Sequence, residues 1–350
     1  YAAYLSFSGG WFTSLGGNSG SGNTKSGIAL NGSFGQNVTL PANVGIPYIG
    51  AGLNVNDGAT LTLQAGVVIK METSLTVNGL LASLGTASSP VYITSLKDDS
   101  VGGDSNNDGA ATSPAPGDWL HIVVGNTGRA TFDYTTFRYG GDTVGNNYDA
   151  VLALTQNAQV TLNNSTVSNS EYDGIRVDGY TSGYVSQLTL NQTTVESNQY
   201  RGIYSLSSSS SGGLNAVTVI SSTIRNNGNS GLYLRNISSA IISSNSIHDN
   251  AAYGIYVGSA NGIDVSNNTL NSNTGDGIYL SGVSAVSLTD NRSESNTGDG
   301  ISLSGVSAVS LADNRSESNT GYGIRITLSG VATPTITNNT ANANGGYPFA

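Results

Sequence analysis

Apolar and polar positions alternate along this chain in short runs. Ile278 and Leu280 flank Tyr279, and Val286 and Leu288 flank Ser287. A period of two is the signature of a strand with one buried face, so each such unit holds at least two short strands. The runs themselves recur. Residues 273–295 and 296–318 differ at only two of 23 positions, Tyr279 against Ser302 and Thr289 against Ala312. A glycine followed by an aliphatic residue marks the same frame at Gly174, Gly202, Gly231, Gly254, Gly277, Gly300 and Gly323, spaced 28, 29, 23, 23, 23 and 23. A 23-residue unit of short strands cannot bury its apolar face alone. Stacking solves this, with each strand pairing in parallel with its copy one rung away, at a rise of about 4.8 Å.

Asparagines follow the same frame. Asn198, Asn227, Asn250, Asn273, Asn296 and Asn319 each precede a repeat glycine by four residues, and Asn245, Asn268, Asn291 and Asn314 form a second series at intervals of 23. Amides repeated at one rung position can bond along the stack and satisfy the turn backbone, so these residues are read as structural. The predicted fold is all-β, a single-stranded right-handed parallel β-helix of about 23 residues per coil in the C-terminal half. The right hand follows the general rule for parallel crossovers.

Composition fits that picture and excludes others. Hydrophobic residues make up 37% and charged residues only 10%, which suits a packed chain rather than a disordered one. A net charge of −10 argues against nucleic acid as a partner, and no apolar run is long enough to span a membrane. There is no cysteine and Met71 is the only methionine, which suits a secreted chain; no hydrophobic leader opens the sequence, so either a signal has been removed or the chain is a fragment. The expected location is extracellular or at a cell surface.

The unit N-x-x-x-G-I-x-L followed by V-x-L, over roughly 155–345, resembles the repeat of pectate-lyase-like parallel β-helix proteins. The segments GATLTLQAGVVIKM, GDWLHIVV and TFRYGG, within about 53–141, resemble the opening coils of large secreted bacterial surface β-helix proteins. The resemblance implies a right-handed solenoid and a secreted context. It does not imply one activity, because lyases, hydrolases, epimerases, adhesins and phage spikes share this fold.

Four segments depart from the regular coils. Residues 1–36 combine Gly, Ser and Asn with Tyr1, Tyr4, Phe7, Trp11, Phe12 and Phe34, and are read as a cap or docking segment ahead of a β-helix over 37–350. Insert loops at 178–187 and 205–213 account for the spacings of 28 and 29, and Tyr180 and Tyr184 make the first a candidate binding loop. The acidic insertion 97–118 contains Asp104, Asn106, Asp108 and Gly109 in the order of a calcium loop. Calcium takes six to eight oxygens, so the expected ligands are Asp104, Asn106 and Asp108, with Asp118, Asp98 or Asp99 completing the shell. Its role would be structural.

No catalytic set stands out. Asp276 and Asp299 share one repeat position on consecutive rungs, a spacing suited to paired carboxylates, but they lie in a near-perfect duplication that would repeat any residue. Arg176, Arg201 and Arg325 are the bases on repeat strands, and none has an evident acidic cluster at a neighbouring rung. His121 and His248 read as solvated or turn residues. The outward column Arg176, Tyr204, Tyr233, Tyr256, Tyr279, Ser302, Arg325 is more informative. Its four consecutive tyrosines form either a stabilising stack or a stripe suited to sugar or to a second copy. The leading functional expectation is a non-catalytic structural or adhesive extracellular protein, either an adhesin segment or a subunit that self-associates through its termini into fibres. The alternative is a carbohydrate-binding or polysaccharide-degrading protein.

Overall fold

The computed structural model describes all residues except 11–14, 16–17, 20–21, 43–45, 143–147, 180–183, 208–214, 330–332 and 350. No helix occurs among the described residues; the regular elements are strands. The chain divides into two compact units, Tyr1–Arg176 and Val177–Ala350.

In the first unit the rungs are built on three parallel ladders. Leu75–Val77 pairs with Ile122–Val124, which pairs with Ala150–Leu154. Leu80–Leu84, Arg129–Asp133 and Gln159–Asn163 form the second ladder, and Val91–Ser95, Thr135–Arg138 and Thr166–Ser168 the third. Alternation decides the core: Leu81, Ala130 and Val160 stack inward in one column, all essentially buried. Phe132 and Phe137 meet edge to face at 4.8 Å. At the N-terminal side, Ala3–Ser8 pairs in parallel with Ile28–Phe34, which pairs with Tyr48–Val55. The regular rungs therefore begin within residues 1–36, and Phe7 packs on Phe34 at 4.7 Å. Trp11 and Phe12 lie outside the described residues.

The second unit follows the 23-residue frame. Ile255–Ser266 pairs along one side with Leu232–Ser243 and along the other with Ile278–Ser281 and Val286–Thr289, and the ladder continues to Ile301–Val306 and Val309–Ala312. A third ladder runs from Thr194–Glu196 through Ser246–His248 to Arg315–Glu317. Ile278, Leu280 and Leu288 are fully buried and Val286 is nearly so, as the alternation requires.

Both asparagine series are hydrogen-bonded ladders in the interior. Asn268 is typical. Its Oδ1 accepts from the backbone N–H and the side-chain Nδ2 of Asn245, each at 2.9 Å, and its own Nδ2 donates to Ile242 O at 2.7 Å and to Asn291 Oδ1 at 3.0 Å. The second series does the same, with Asn250 donating to Asn273 and Asn273 to Asn296. The residue before each amide turns the chain with a positive φ, as at Asn267 (57°) and Asp290 (55°). The repeat glycines serve a different need: a Cβ at Gly254 would lie 2.7 Å from the carbonyl oxygen of Gly277, one rung away.

Candidate functional site

The tyrosine column predicted from the repeat exists in the second unit. Tyr204, Tyr233, Tyr256, Tyr279, Ser302 and Arg325 occupy one register position on successive strands. Tyr204 is buried and the other three tyrosines are partly exposed. Tyr233 and Tyr256 are stacked nearly parallel, their planes 5° apart with centroids at 4.3 Å. Tyr279 lies 5.5 Å from the ring of Tyr253, which joins the column from the turn. Stacking thus covers one face of Tyr233, Tyr256 and Tyr279, while the Tyr204–Tyr233 and Tyr256–Tyr279 pairs are tilted, at 36° and 42°. Arg201 closes one end, its guanidinium 3.5 Å from the centroid of Tyr204. Arg235, two residues beyond Tyr233, makes no ion pair among the described residues.

Asp276 and Asp299 flank this column. Asp276 Oδ1 accepts the backbone N–H of Asp299 at 2.7 Å, and Asp299 Oδ1 accepts that of Tyr322 at 2.8 Å. Both carboxylates thus serve as turn acceptors from one rung to the next. Arg325 reaches Asp299 at 2.8 Å, so the expectation that Arg325 lacks an acidic neighbour is corrected. Burial, reinforced by the charge of Asp299 and opposed by the Asp299 N–H and Arg325, pushes Asp276 up to about 6.

The insert loops are only partly described. Tyr184 is 37% exposed, whereas Tyr180 lies outside the described residues, as does most of the loop at 205–213.

In the first unit the acidic insertion gathers Asp99, Asp104 and Asp108, with ligand oxygens within 4.8 Å of one another. The Oδ1 atoms of Asp99, Asn106 and Asp108 are buried without a hydrogen-bond partner. Burial and the neighbouring Asp104 push the Asp99 carboxyl up, against the pull of Lys70. Asp118 is engaged elsewhere: it accepts from Lys97 Nζ and Ser95 Oγ, each at 2.6 Å, and from the Ala115 N–H at 2.9 Å. Asp98 is likewise committed, to Arg138 at 2.6 Å. Burial would raise the Asp98 carboxyl, but hydrogen bonds from Ser100 and Thr94 and the charge of Arg138 hold it below the usual range. Beneath the loop the fully buried Lys70 donates to Asp98 O at 2.9 Å. Burial lowers its ammonium below the usual lysine range, although Asp99, Asp98 and Asp104 pull the other way.

A further cluster in this unit escaped sequence reasoning. His121 is not solvated; it is only 4% exposed, and its ring meets Tyr148 edge-on at 5.4 Å. Arg176, expected to have no acidic neighbours, pairs with Asp149 at 3.2 Å. Their separation of 27 residues, close to one coil length, was the signal available in the sequence. The other histidine, His248, ends the strand Ser246–His248, and its Nδ1 hydrogen-bonds Asp249 at 2.7 Å.

Known proteins resolve what this architecture is. The model described as "Right handed beta helix region" matches residues 209–350. The chain is a right-handed parallel β-helix. A second model, described as "Periplasmic copper-binding protein (NosD)", matches residues 122–271 of the β-helix. Among solved structures, the mannuronan C-5 epimerase AlgE4 A-module of Azotobacter vinelandii is similar with a TM-score of 0.57 and 16% identity, covering 93% of this chain and 89% of that one. The periplasmic alginate epimerase AlgG is similar with a TM-score of 0.61 and 14% identity over 93% of this chain and 74% of that one. The Dettilon tailspike protein gp208 gives 0.52 and 13% over 83% and 60%. At these identities the likeness is one of fold. No curated protein matches the β-helix chain.

Proposed function

We propose that this β-helix is a non-catalytic adhesive protein acting outside the cytoplasm, binding polysaccharide along the tyrosine face of its second unit. The observation that carries the reading is the column Tyr204, Tyr233, Tyr256 and Tyr279, held in register on one sheet and closed by Arg201. Stacked rings fix the hydroxyls at rung spacing, which suits the many hydroxyls of an extended glycan and costs little ordering entropy on binding. The epimerases and the periplasmic family named above support both a polysaccharide partner and a non-cytoplasmic location. Copper is not supported: the chain has no cysteine, one methionine and two histidines, a thin set of soft ligands.

A polysaccharide microarray followed by calorimetry tests the reading. The double change Tyr233→Phe and Tyr256→Phe keeps the stack and removes two hydroxyls. Two lost hydrogen bonds of about 1 kcal/mol each predict binding weaker by roughly 30-fold. Unchanged affinity, or binding of no glycan, overturns the reading. In the latter case, concentration-dependent filaments in electron micrographs would favour end-to-end assembly instead.

Calcium in the acidic loop is a second proposal, favoured by the unpartnered buried oxygens of Asp99, Asn106 and Asp108. With Asp104 these offer the hard oxygen donors that calcium prefers. The ion would pin the insertion. Calcium should raise the melting temperature, chelation should reverse the rise, and Asp104→Asn should abolish it. A melting temperature indifferent to calcium rejects the site and leaves the loop to the cations already beside it, Lys70, Lys97 and Arg138.

A further inference from the structure

His121 poses a separate question in the first unit. Its ring is almost completely buried, yet Nδ1 has no hydrogen-bond partner. Leaving such an atom unpaired is costly, and buried polar groups are normally satisfied. Backbone carbonyls beside it are already paired: Leu75 N–H donates to His121 O at 3.0 Å, and Gly141 N–H to Leu120 O at 2.7 Å. The side chains around it are polar. Tyr148 touches the imidazole edge-on, Asp142 and Asp149 act on it electrostatically, and Arg176 neutralises Asp149. Asp142, Tyr148 and Asp149 are all part-exposed, so the imidazole lies about one side chain below the surface.

We infer that His121 anchors a ligand site in the first unit, and that the group it takes is a sugar hydroxyl. Chemistry narrows the ligand to that class. Burial outweighs the two nearby carboxylates and lowers the affinity of the ring for a second proton, so at neutral pH one ring nitrogen donates and the other accepts. Whichever role Nδ1 has, a hydroxyl can complement it, because a hydroxyl both donates and accepts. An anionic group placed at Nδ1 itself, as opposed to a hydroxyl of the same sugar, would meet the charge of Asp142 and, less strongly, of the Arg176-paired Asp149. A bound metal would need tighter convergence, and among the described residues the only metal-competent acidic group is the one in the insertion. The Tyr148 ring adds an apolar wall with a polar tip beside the imidazole, a combination suited to a pyranose. Neutral and uronic-acid sugars both carry such hydroxyls.

This site does not depend on the tyrosine face. It is tested on the full chain with ¹⁵N-labelled imidazoles, where His248, bonded to Asp249, serves as the internal reference. The probes are a mannuronate hexamer and a neutral mannose hexamer, each added to the protein carrying Tyr233→Phe and Tyr256→Phe. The expected result is a saturable shift of the His121 nitrogen resonances with one or both hexamers while His248 stays fixed. His121→Gln should weaken that binding about tenfold. A response to only one hexamer identifies the source of the hydroxyl. No His121 response to either hexamer overturns the inference and makes a buried water the occupant of Nδ1, whether or not the tyrosine face binds glycan. A shift seen with native tyrosines but absent from the double variant also overturns it.

Discussion

Replacing Asn268 by alanine should be among the most damaging single changes on the second unit, although it removes no apolar contact. Asn268 is 1% exposed and joins three rungs. Without its amide, the Asn245 N–H and Nδ2–H lose their acceptor and Ile242 O loses its donor. Each stranded buried group costs about 1–3 kcal/mol, and the small void left by the side chain gives water little room to compensate. With partial relaxation the total is roughly 3–5 kcal/mol. For a unit of this size each kcal/mol shifts the melting temperature by about 2–4 °C, so a fall of about 10 °C is expected. Asn339→Ala is the matched control. It occupies the same ladder, accepting from Asn314 at 2.9 Å, but it lies among exposed strands where water can replace it. Thermal unfolding followed by far-ultraviolet circular dichroism measures both. If Asn268→Ala costs under 1 kcal/mol, or no more than Asn339→Ala, the ladder is not what holds the rungs together.

Three further outcomes follow from other contacts. Asp276 titrates near 6 when folded against 3.8 unfolded, so the folded state binds the extra proton and stability falls as pH rises through that window. Asp276→Asn keeps an acceptor for Asp299 N–H and should therefore stabilise the protein at pH 7.5 by roughly 1–3 kcal/mol while gaining little at pH 4; equal effects at both pH values in urea titrations would refute this. Gly254→Ala forces a Cβ against the Gly277 carbonyl and should cost about 3 kcal/mol, whereas Gly262→Ala, with open space around it, should be nearly neutral in the same assay. Lys70→Met strands the Asp98 carbonyl and removes the cation beneath three carboxylates, so limited proteolysis should cut within 97–118 many times faster than in the parent; an unchanged cleavage rate would refute a pinning role for Lys70.

The second unit was legible in the sequence because its physics is periodic. Ile278, Leu280, Val286 and Leu288 had to share a face, and the asparagines had to share a turn, since each residue's neighbours are its own copies. Tyr279 was placed on the outward side by the same alternation; what the pattern could not show is that Tyr253 would lie beside it and stack on one face of its ring. In the first unit, coil lengths vary, so frame counting fails. Arg176 and Asp149 are an ion pair across one uneven coil, and His121 is buried beside Tyr148, a neighbour no repeat predicts. The calcium motif drew attention to Asp104 and Asp108, which the fold gathers with Asp99. Its proposed partner Asp118 was already held by Ser95 and Lys97, which only the fold brings near.

The duplication of 273–295 as 296–318 carries a consequence for how this protein can change over generations. Each of these rungs presents to its neighbour the same amides, the same aliphatic column and the same glycine. Slippage that adds or removes one whole copy during replication therefore creates no unfamiliar junction, because both new contacts already exist elsewhere in the stack. Length becomes a heritable variable that moves in steps of one rung, about 4.8 Å, while the residues bordering each step stay unaltered. Selection for reach can thus proceed without passing through misfolded intermediates.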